Sequence, residues 1–218
     1  MPATETLIVV FARAPEPGRA KTRLLPLLGA DGAAALQALL IERTLATALA
    51  ASVGRVELWC APSAQHPLLG AFMQRHGIEG VTQCEGDLGA RMQHAAMAAL
   101  ATHPSVLMIG TDCPALTPAD LRAAAAALAT HDAVLIPAED GGYVLLGLNR
   151  WNARLFTNIA WGGDQVMAAT RERLAALEWR WHELPALWDV DRPEDFARLR
   201  SSGLMPELAL ASALSRNA

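Results

Sequence analysis

Four cations, Arg13, Arg19, Lys21 and Arg23, fall within eleven residues of the segment Phe11–Leu24. Like charges at that density repel one another, and the arrangement becomes favourable where a polyanion binds. Arg offers a planar two-pronged donor and Lys a compact point charge, a combination suited to phosphate. Gly18 lets the backbone come close to an anion, and exposed amides beside Lys21 and Arg23 would add a nest of N–H donors. The spacing matches neither G-x-G-x-x-G nor G-x-x-x-x-G-K-[ST], so a dinucleotide fingerprint or a P-loop is not supported. The competing reading is a solvated basic loop in which Pro15, Pro17 and Gly18 only form turns.

The carboxylates sit further along. Asp112 lies in Gly110-Thr-Asp-Cys-Pro114, directly after the apolar run Ser105–Ile109. Such a position suits a hard divalent cation, since Mg²⁺ takes one or two carboxylates and completes its shell with phosphate and water. Asp112 could instead cap the next turn, although Thr117 already supplies a helix cap. Asp189 and Asp191 are two residues apart, so on an extended segment they point to one side, and either could be a second metal ligand. Asp191 also fits as the cap of a final helix opened by Pro193 and Glu194. Glu139-Asp140-Gly141-Gly142-Tyr143 reads equally as an acceptor-substrate site and as a tight hairpin turn. Gly86-Asp87-Leu88-Gly89-Ala90-Arg91 either brings a helix start and Arg91 to the nucleotide or forms a plain capped helix. The six histidines lack metal-ligand spacing, and Ser63, Ser105 and Cys113 have no neighbour that would activate a nucleophile.

These residues need a scaffold. Leu7–Phe11 is a continuous apolar run and predicts a first buried parallel strand. Further strands are expected at Val53–Ala61, Val81–Cys84, Ser105–Ile109, Ala133–Pro137, Tyr143–Leu148 and Arg180–Leu187. Helices are expected from Asp31 to about Ala51, with Leu36, Leu39, Leu40 and Leu49 buried, and over Pro67–His76, Leu88–Ala101 and about 164–178. Thr117-Pro118-Ala119-Asp120 and Arg192-Pro193-Glu194-Asp195 each open a helix. Alternating strands and helices predict an α/β fold, a mostly parallel sheet with helices on both faces. Ligands in such a fold bind beyond the strands' C-terminal ends, where the strand order reverses. The chain reads as a single domain over residues 1–218, with a core at about 6–200 and a helical tail at about 203–218.

A formal net charge of −4 across 218 residues argues against a nucleic-acid partner, which needs a basic stripe. Only 18% of residues are charged and 52% are hydrophobic, enough to build a sizeable core. The three cysteines have no C-x-x-C pairing, so neither a disulfide framework nor a structural zinc site is indicated. The sequence opens with no signal peptide, and no run reaches the length of a membrane span. A cytoplasmic protein is expected, and a homodimer is compatible with the sequence.

Taken in order, Phe11–Leu24, Gly86–Met92, Gly110–Pro114, Asp140–Tyr143 and Trp188–Asp195 resemble the bacterial glycosyltransferase-A-like family DUF2064. The resemblance runs from about residue 6 to 200. It implies a nucleotide-diphospho-sugar transferase fold. The same blocks are similar to phospholactate guanylyltransferases and, more distantly, to sugar-phosphate nucleotidyltransferases. By that similarity Arg13, Lys21 and Arg23, with Gly18 and Arg91, bind the nucleotide phosphates, and Asp112 and Asp191 hold Mg²⁺ or Mn²⁺. The resemblance implies a metal-dependent transferase using a nucleotide or nucleotide-sugar and a small acceptor. Asp112, Asp140 and Lys21 would be catalytic, and Gly141, Gly142 and Tyr143 would bind the acceptor. The loop lacks the paired glycines of many sugar nucleotidyltransferases, and the Asp-x-Asp of typical glycosyltransferases is replaced by Asp112-Cys113-Pro114. Nucleotidyl and glycosyl transfer both stay open, as does a non-catalytic nucleotide-binding protein on the same fold.

Overall fold

The computed structural model of the chain describes residues 5–206. From residue 207 onward the expected helical tail lies outside the described residues. The elements run β1 (Leu7–Arg13), α1 (Leu25–Ala51), β2 (Val56–Ala61), α2 (Pro67–His76), β3 (Glu79–Thr82), α3 (Leu88–Leu100) and β4 (Val106–Ile109). They continue with α4 (Pro118–Ala127), β5 (Ala133–Pro137), β6 (Tyr143–Leu148), α5 (Val166–Ala176), β7 (Trp181–Glu183) and α6 (Pro193–Ser202). One seven-stranded sheet has the order β3-β2-β1-β4-β6-β5-β7. β6 is antiparallel to β4 and β5, and every other neighbouring pair is parallel. The expected α/β architecture, mostly parallel with helices on both faces, is the one observed.

β1 is apolar from Leu7 to Ala12 because it is covered on both sides. Ile8, Val10 and Ala12 share a core with Ile41 and Leu45 of α1 and Leu121 of α4. Leu7 and Val9 face the opposite layer, with Met92, Ala95 and Ala96 of α3 and Met167 and Leu174 of α5. Each fully buried aliphatic side chain contributes roughly 1.5–3 kcal/mol. A third cluster, with Leu24, Leu36 and Leu40 against Trp188, Val190 and Leu199, ties the 188–190 segment to α1.

Several expected boundaries move. α1 begins at Leu25 and not after Asp31, because Pro26 fits a first helical turn and Gly29 absorbs a break at φ 67, ψ 177. Leu49 is 36% exposed: the buried stripe runs through Ala33, Leu36, Leu40, Ile41, Leu45 and Ala48 at helical spacing, and Leu49 falls beside it. β2 starts at Val56, after Gly54 at φ 156. β3 lies two residues earlier than expected, and β7 covers only Trp181–Glu183 before a single bridge joins Leu187 to Ala138. The cap at Thr117 holds: its Oγ accepts from Asp120 N–H at 3.3 Å, and Asp120 accepts from Thr117 N–H at 2.9 Å.

The helical stretch Thr22–Ala51 is, by length and composition, long and apolar enough to cross a membrane, with mean hydropathy 1.7. A helix packed in a protein core has the same length and composition. Here its apolar stripe packs on the sheet.

Between β1 and β4 the strand order reverses, since β2 and β3 extend to one side and β4 opens the other. The C-terminal ends of β1, β4 and β5, and the start of antiparallel β6, meet along one edge of the sheet, where the motif loops emerge.

Candidate active site

A crevice in two halves opens at that edge. One half, of about 540 Å³, is lined by Arg13, Arg19, Lys21 and Arg91. The other, of about 510 Å³, is lined by Asp140, Asp189, Tyr143 and Trp161. Thr22, Leu88, Gly110, Asp112 and Asp191 border both. The structure therefore brings together Arg13, Lys21, Arg23, Arg91, Asp112, Asp140, Gly142, Tyr143 and Asp191 from five separate segments. Gly18 lies outside the lining of either half.

The centre is a clamp of three chain segments. Lys21 is in the left-handed region, at φ 48. That backbone turn sends its side chain inward, where it is only 3% exposed. Its Nζ donates to the carbonyl of Val190 at 2.6 Å and pairs with Asp112 Oδ1 at 2.7 Å. The Val190 N–H donates to the carbonyl of Asp112 at 2.8 Å. An ammonium has three donors, so one N–H remains for a ligand. Behind the clamp, Gln37 Nε2 donates to Thr111 Oγ1 at 3.1 Å in a buried contact. Lys21 is thus not a free cation on a basic loop, and Asp112, 48% exposed, does not cap the following turn.

Arg23 pairs with Asp191 across the crevice. The expected capping role of Asp191 is corrected: Asp195 accepts from the backbone N–H of Asp191 at 3.1 Å and of Arg192 at 2.7 Å. That frees the Asp191 carboxylate for the crevice. The expected nest of amides is narrower than the sequence suggested. The N–H groups of Arg19 and Ala20 already donate to the Glu16 carbonyl, both at 3.1 Å, around Gly18 at φ 77.

Arg91, in the first turns of α3, donates to Gln83 Oε1 at 3.4 Å. Its Nε is buried without a partner, an unmet donor of the kind that costs about 1–3 kcal/mol when left dry. Gln83 in turn donates to the Trp59 carbonyl at 2.7 Å. Asp87 caps this helix by accepting from Ala90 N–H at 2.9 Å, so the capped-helix reading of the segment is met, and Arg91 lines the cationic half of the crevice.

The 139–142 segment is a turn and part of the crevice at once. Asp140 Oδ1 accepts from Gly142 N–H at 3.0 Å. Gly141 adopts φ 93, and a side chain there would collide with the backbone of Asp164. Tyr143 presents its ring to the cavity, while its hydroxyl turns inward and donates to Met92 Sδ at 3.6 Å. Burial raises its pKa well above the usual phenol range.

Asp189 was an open alternative in the sequence and proves central. Burial, and then the charges of Asp140, Asp112 and Asp191, push its carboxyl up to about 6. Negative potential therefore accumulates between these four groups. Among the described residues no three His, Cys, Asp or Glu side chains form a ready-made metal cluster. The donor set of Asp112 and Asp191 nonetheless fits a hard divalent cation that completes its shell with phosphate and water. Cys113 is buried and its thiol is pushed up to about 12, chiefly by burial, which leaves it inert as a nucleophile.

Trp161 was missed by sequence reasoning. Its ring stands perpendicular to that of Tyr143, at 88° and 6.5 Å between centroids, and it is seated on Gly89, where a Cβ would strike the indole. The one available signal was an aromatic followed by two glycines, Gly162 and Gly163, both of which line the cavity.

The family model described as an uncharacterized protein conserved in bacteria, DUF2064, matches residues 44–163. That span includes Asp112 and the 139–143 turn. Among solved structures, a protein of Desulfovibrio desulfuricans G20 provisionally assigned as a nucleotide-diphospho-sugar transferase is 30% identical. The match covers 87% of this chain and 84% of that one, with a TM-score of 0.80. The CMP:2-keto-3-deoxy-manno-octonic acid synthetase solved with CTP is 13% identical, with a TM-score of 0.60 over 91% and 98% of the two chains. Rv0371c of Mycobacterium tuberculosis H37Rv, solved with manganese, is 21% identical, with a TM-score of 0.58 over 90% and 98%. At the two lower identities the likeness concerns the fold. No curated protein sequence matches. The fold is that of the nucleotide-diphospho-sugar transferases.

Proposed function

The chain belongs to the bacterial DUF2064 family, and on that premise we propose that it is a divalent-metal-dependent transferase. Its donor is a nucleoside triphosphate or a nucleotide-sugar, and its acceptor is a small molecule. The observation that carries this reading is the split crevice, with cations on one side, carboxylates on the other, and Asp112 and Asp191 on the border. Residues 5–206 act as one transferase domain, in the cytoplasm, where free Cys60, Cys84 and Cys113 persist as thiols.

Arg13, Lys21, Arg23 and Arg91 bind the nucleotide phosphates, with Gly18 shaping the loop that carries Lys21 and Arg23. Lys21 keeps Asp112 oriented and offers its remaining N–H to the leaving phosphate. Asp112 and Asp191 would hold Mg²⁺ or Mn²⁺, which when bound would supply Lewis-acid polarisation and charge neutralisation at the phosphates. Arg23 then exchanges Asp191 for phosphate oxygens. Gly142 and Tyr143 line the acceptor's side, Gly141 forms the turn behind them, and Asp140 takes the proton where the acceptor's nucleophile is a hydroxyl. In nucleotidyl transfer the acceptor attacks the α-phosphorus and pyrophosphate leaves. In glycosyl transfer it attacks the anomeric carbon and a nucleoside diphosphate leaves. Either way the protein contributes positioning and charge stabilisation.

Calorimetric titration with GTP, CTP, UTP, ATP, UDP-glucose and GDP-mannose, each with and without Mg²⁺ or Mn²⁺, tests the proposal. Metal-dependent binding of at least one is expected, and its identity separates the two chemistries. Binding that is indifferent to metal and to loss of Asp112 would point to a non-catalytic nucleotide-binding protein. Binding of none would overturn the proposal.

A further inference from the structure

We propose that the acceptor is an uncharged, polyhydroxylated small molecule that enters between Trp161 and Asp140 and offers a hydroxyl as nucleophile, and that phosphorylated acceptors are refused. This inference rests on the transferase reading above.

The half of the crevice beyond Asp112 has about 510 Å³ and is charged in one sense. Its lining holds the four carboxylates Asp112, Asp140, Asp189 and Asp191 against the single guanidinium of Arg23. That guanidinium is already paired with Asp191. The arginines and lysine that could receive a second phosphate, Arg13, Arg19, Lys21 and Arg91, all line the other half. Even with Asp112 and Asp191 engaged by a cation, Asp140 and Asp189 still face the cavity. Ionised carboxylates only accept hydrogen bonds, so a molecule seated against them must donate. Hydroxyls do so, whereas a phosphate brings acceptors and like charge.

The apolar wall points the same way. Tyr143 turns its hydroxyl away to Met92 and gives the cavity only ring, with Trp161 standing perpendicular beside it. Gly142, Gly162 and Gly163 line the cavity without side chains, which leaves room for a ring-sized ligand. Aromatic faces for C–H surfaces and carboxylates for O–H groups together suit a polyol. In the transfer, the acceptor O–H gives its proton to Asp140 as its oxygen bonds to the electrophilic carbon or phosphorus. The bond from that atom to the bridging phosphate oxygen breaks, and the electron pair leaves with the nucleoside diphosphate or pyrophosphate.

Saturation-transfer NMR on the full chain, loaded with Mg²⁺ and the tightest-binding nucleotide of the titration, tests this with matched probes. Glucose, ribose and glycerol form one set, and glucose 6-phosphate, ribose 5-phosphate and glycerol 3-phosphate the other. Transfer to the uncharged set, at least tenfold tighter than to the phosphates, is expected. It should be lost in Trp161→Ala and kept in Trp161→Phe. Asp140 is exposed, and Asp140→Lys, with its fold checked by circular dichroism, should shift the preference at least tenfold toward the phosphates. Preference for phosphates in the unaltered protein, no transfer to the uncharged set while nucleotide binds, or an unmoved preference in Asp140→Lys would each overturn the inference. Failure of every nucleotide to bind would instead overturn the transferase reading, and this inference with it.

Discussion

The two halves of the crevice are comparable in volume and opposite in construction. The cationic half is assembled from side chains that reach across the fold, with Lys21 joining Asp112 and Val190, and Arg91 stacked behind Gln83. The acidic half is held by backbone, through the 138–142 turn packed on Asp164 and bonded to Met167 N–H, and through Leu187 bridged to Ala138 at the end of β5. On that construction, loss of a charge should tell most on the cationic half and loss of backbone geometry on the acidic one. The difference suits a donor that must be gripped by charge and an acceptor that must be selected by form.

The largest test of this contrast removes the grip. Lys21→Ala strips the buried cation from Asp112 and the Val190 carbonyl, and nucleotide affinity should fall by roughly 100-fold, about 3 kcal/mol, in calorimetric titration. Circular dichroism should still report a folded protein, because the two core layers on the sheet do not involve that pair. On the other side, Gly141→Ala sets a side chain against Asp164 at φ 93. It should cost about 2 kcal/mol of stability in denaturant unfolding while nucleotide affinity changes little. If both substitutions act equally on affinity and stability, the division is wrong.

A smaller effect comes from pH. The Asp189 carboxyl is raised from 3.8 to about 6 in the folded chain. Below about pH 4 it is protonated in both states and carries no penalty. As pH rises from about 4 to about 6 the unfolded state ionises first, so stability falls, by an amount on the order of 1 kcal/mol for this half-buried site. Asp189→Asn should flatten that slope in a pH series of thermal melts, and Mn²⁺ should flatten it in the unaltered protein. Smallest of all, Arg19→Ala should weaken nucleotide binding only a few-fold and leave stability within about 0.5 kcal/mol, since its pair with Glu16 is exposed.

The contrast also explains what the sequence made legible. Local codes were readable: the apolar β1, the Thr117–Asp120 capping box, and the Asp140-Gly141-Gly142 turn each depend on neighbours within a few residues. The basic loop was readable as a cluster of cations because charge density is a local property, and Arg13, Arg19 and Lys21 line one half of the crevice. Lys21 as a buried clamp was not, since its partners lie at 112 and 190 and its direction depends on a left-handed backbone that no residue type announces. The start of α1 was misread because Gly29 interrupts a helix without ending it. The raised Asp189 and the Trp161 wall required four loops to converge, which only the strand order dictates. Asp191 was read as a cap or a metal ligand, and the capping role belongs to Asp195, four residues on.

The central claim is that donor phosphates and metal meet at Asp112 and Asp191, on the cationic side of the border. A crystal structure with Mn²⁺ and a non-hydrolysable analogue of the tightest-binding nucleotide tests it most directly through the anomalous signal of manganese. The account predicts a manganese peak within coordination distance of both carboxylates, with the phosphates directed toward Lys21, Arg13 and Arg91. A peak elsewhere, or phosphates lodged between Asp140 and Asp189, would contradict it.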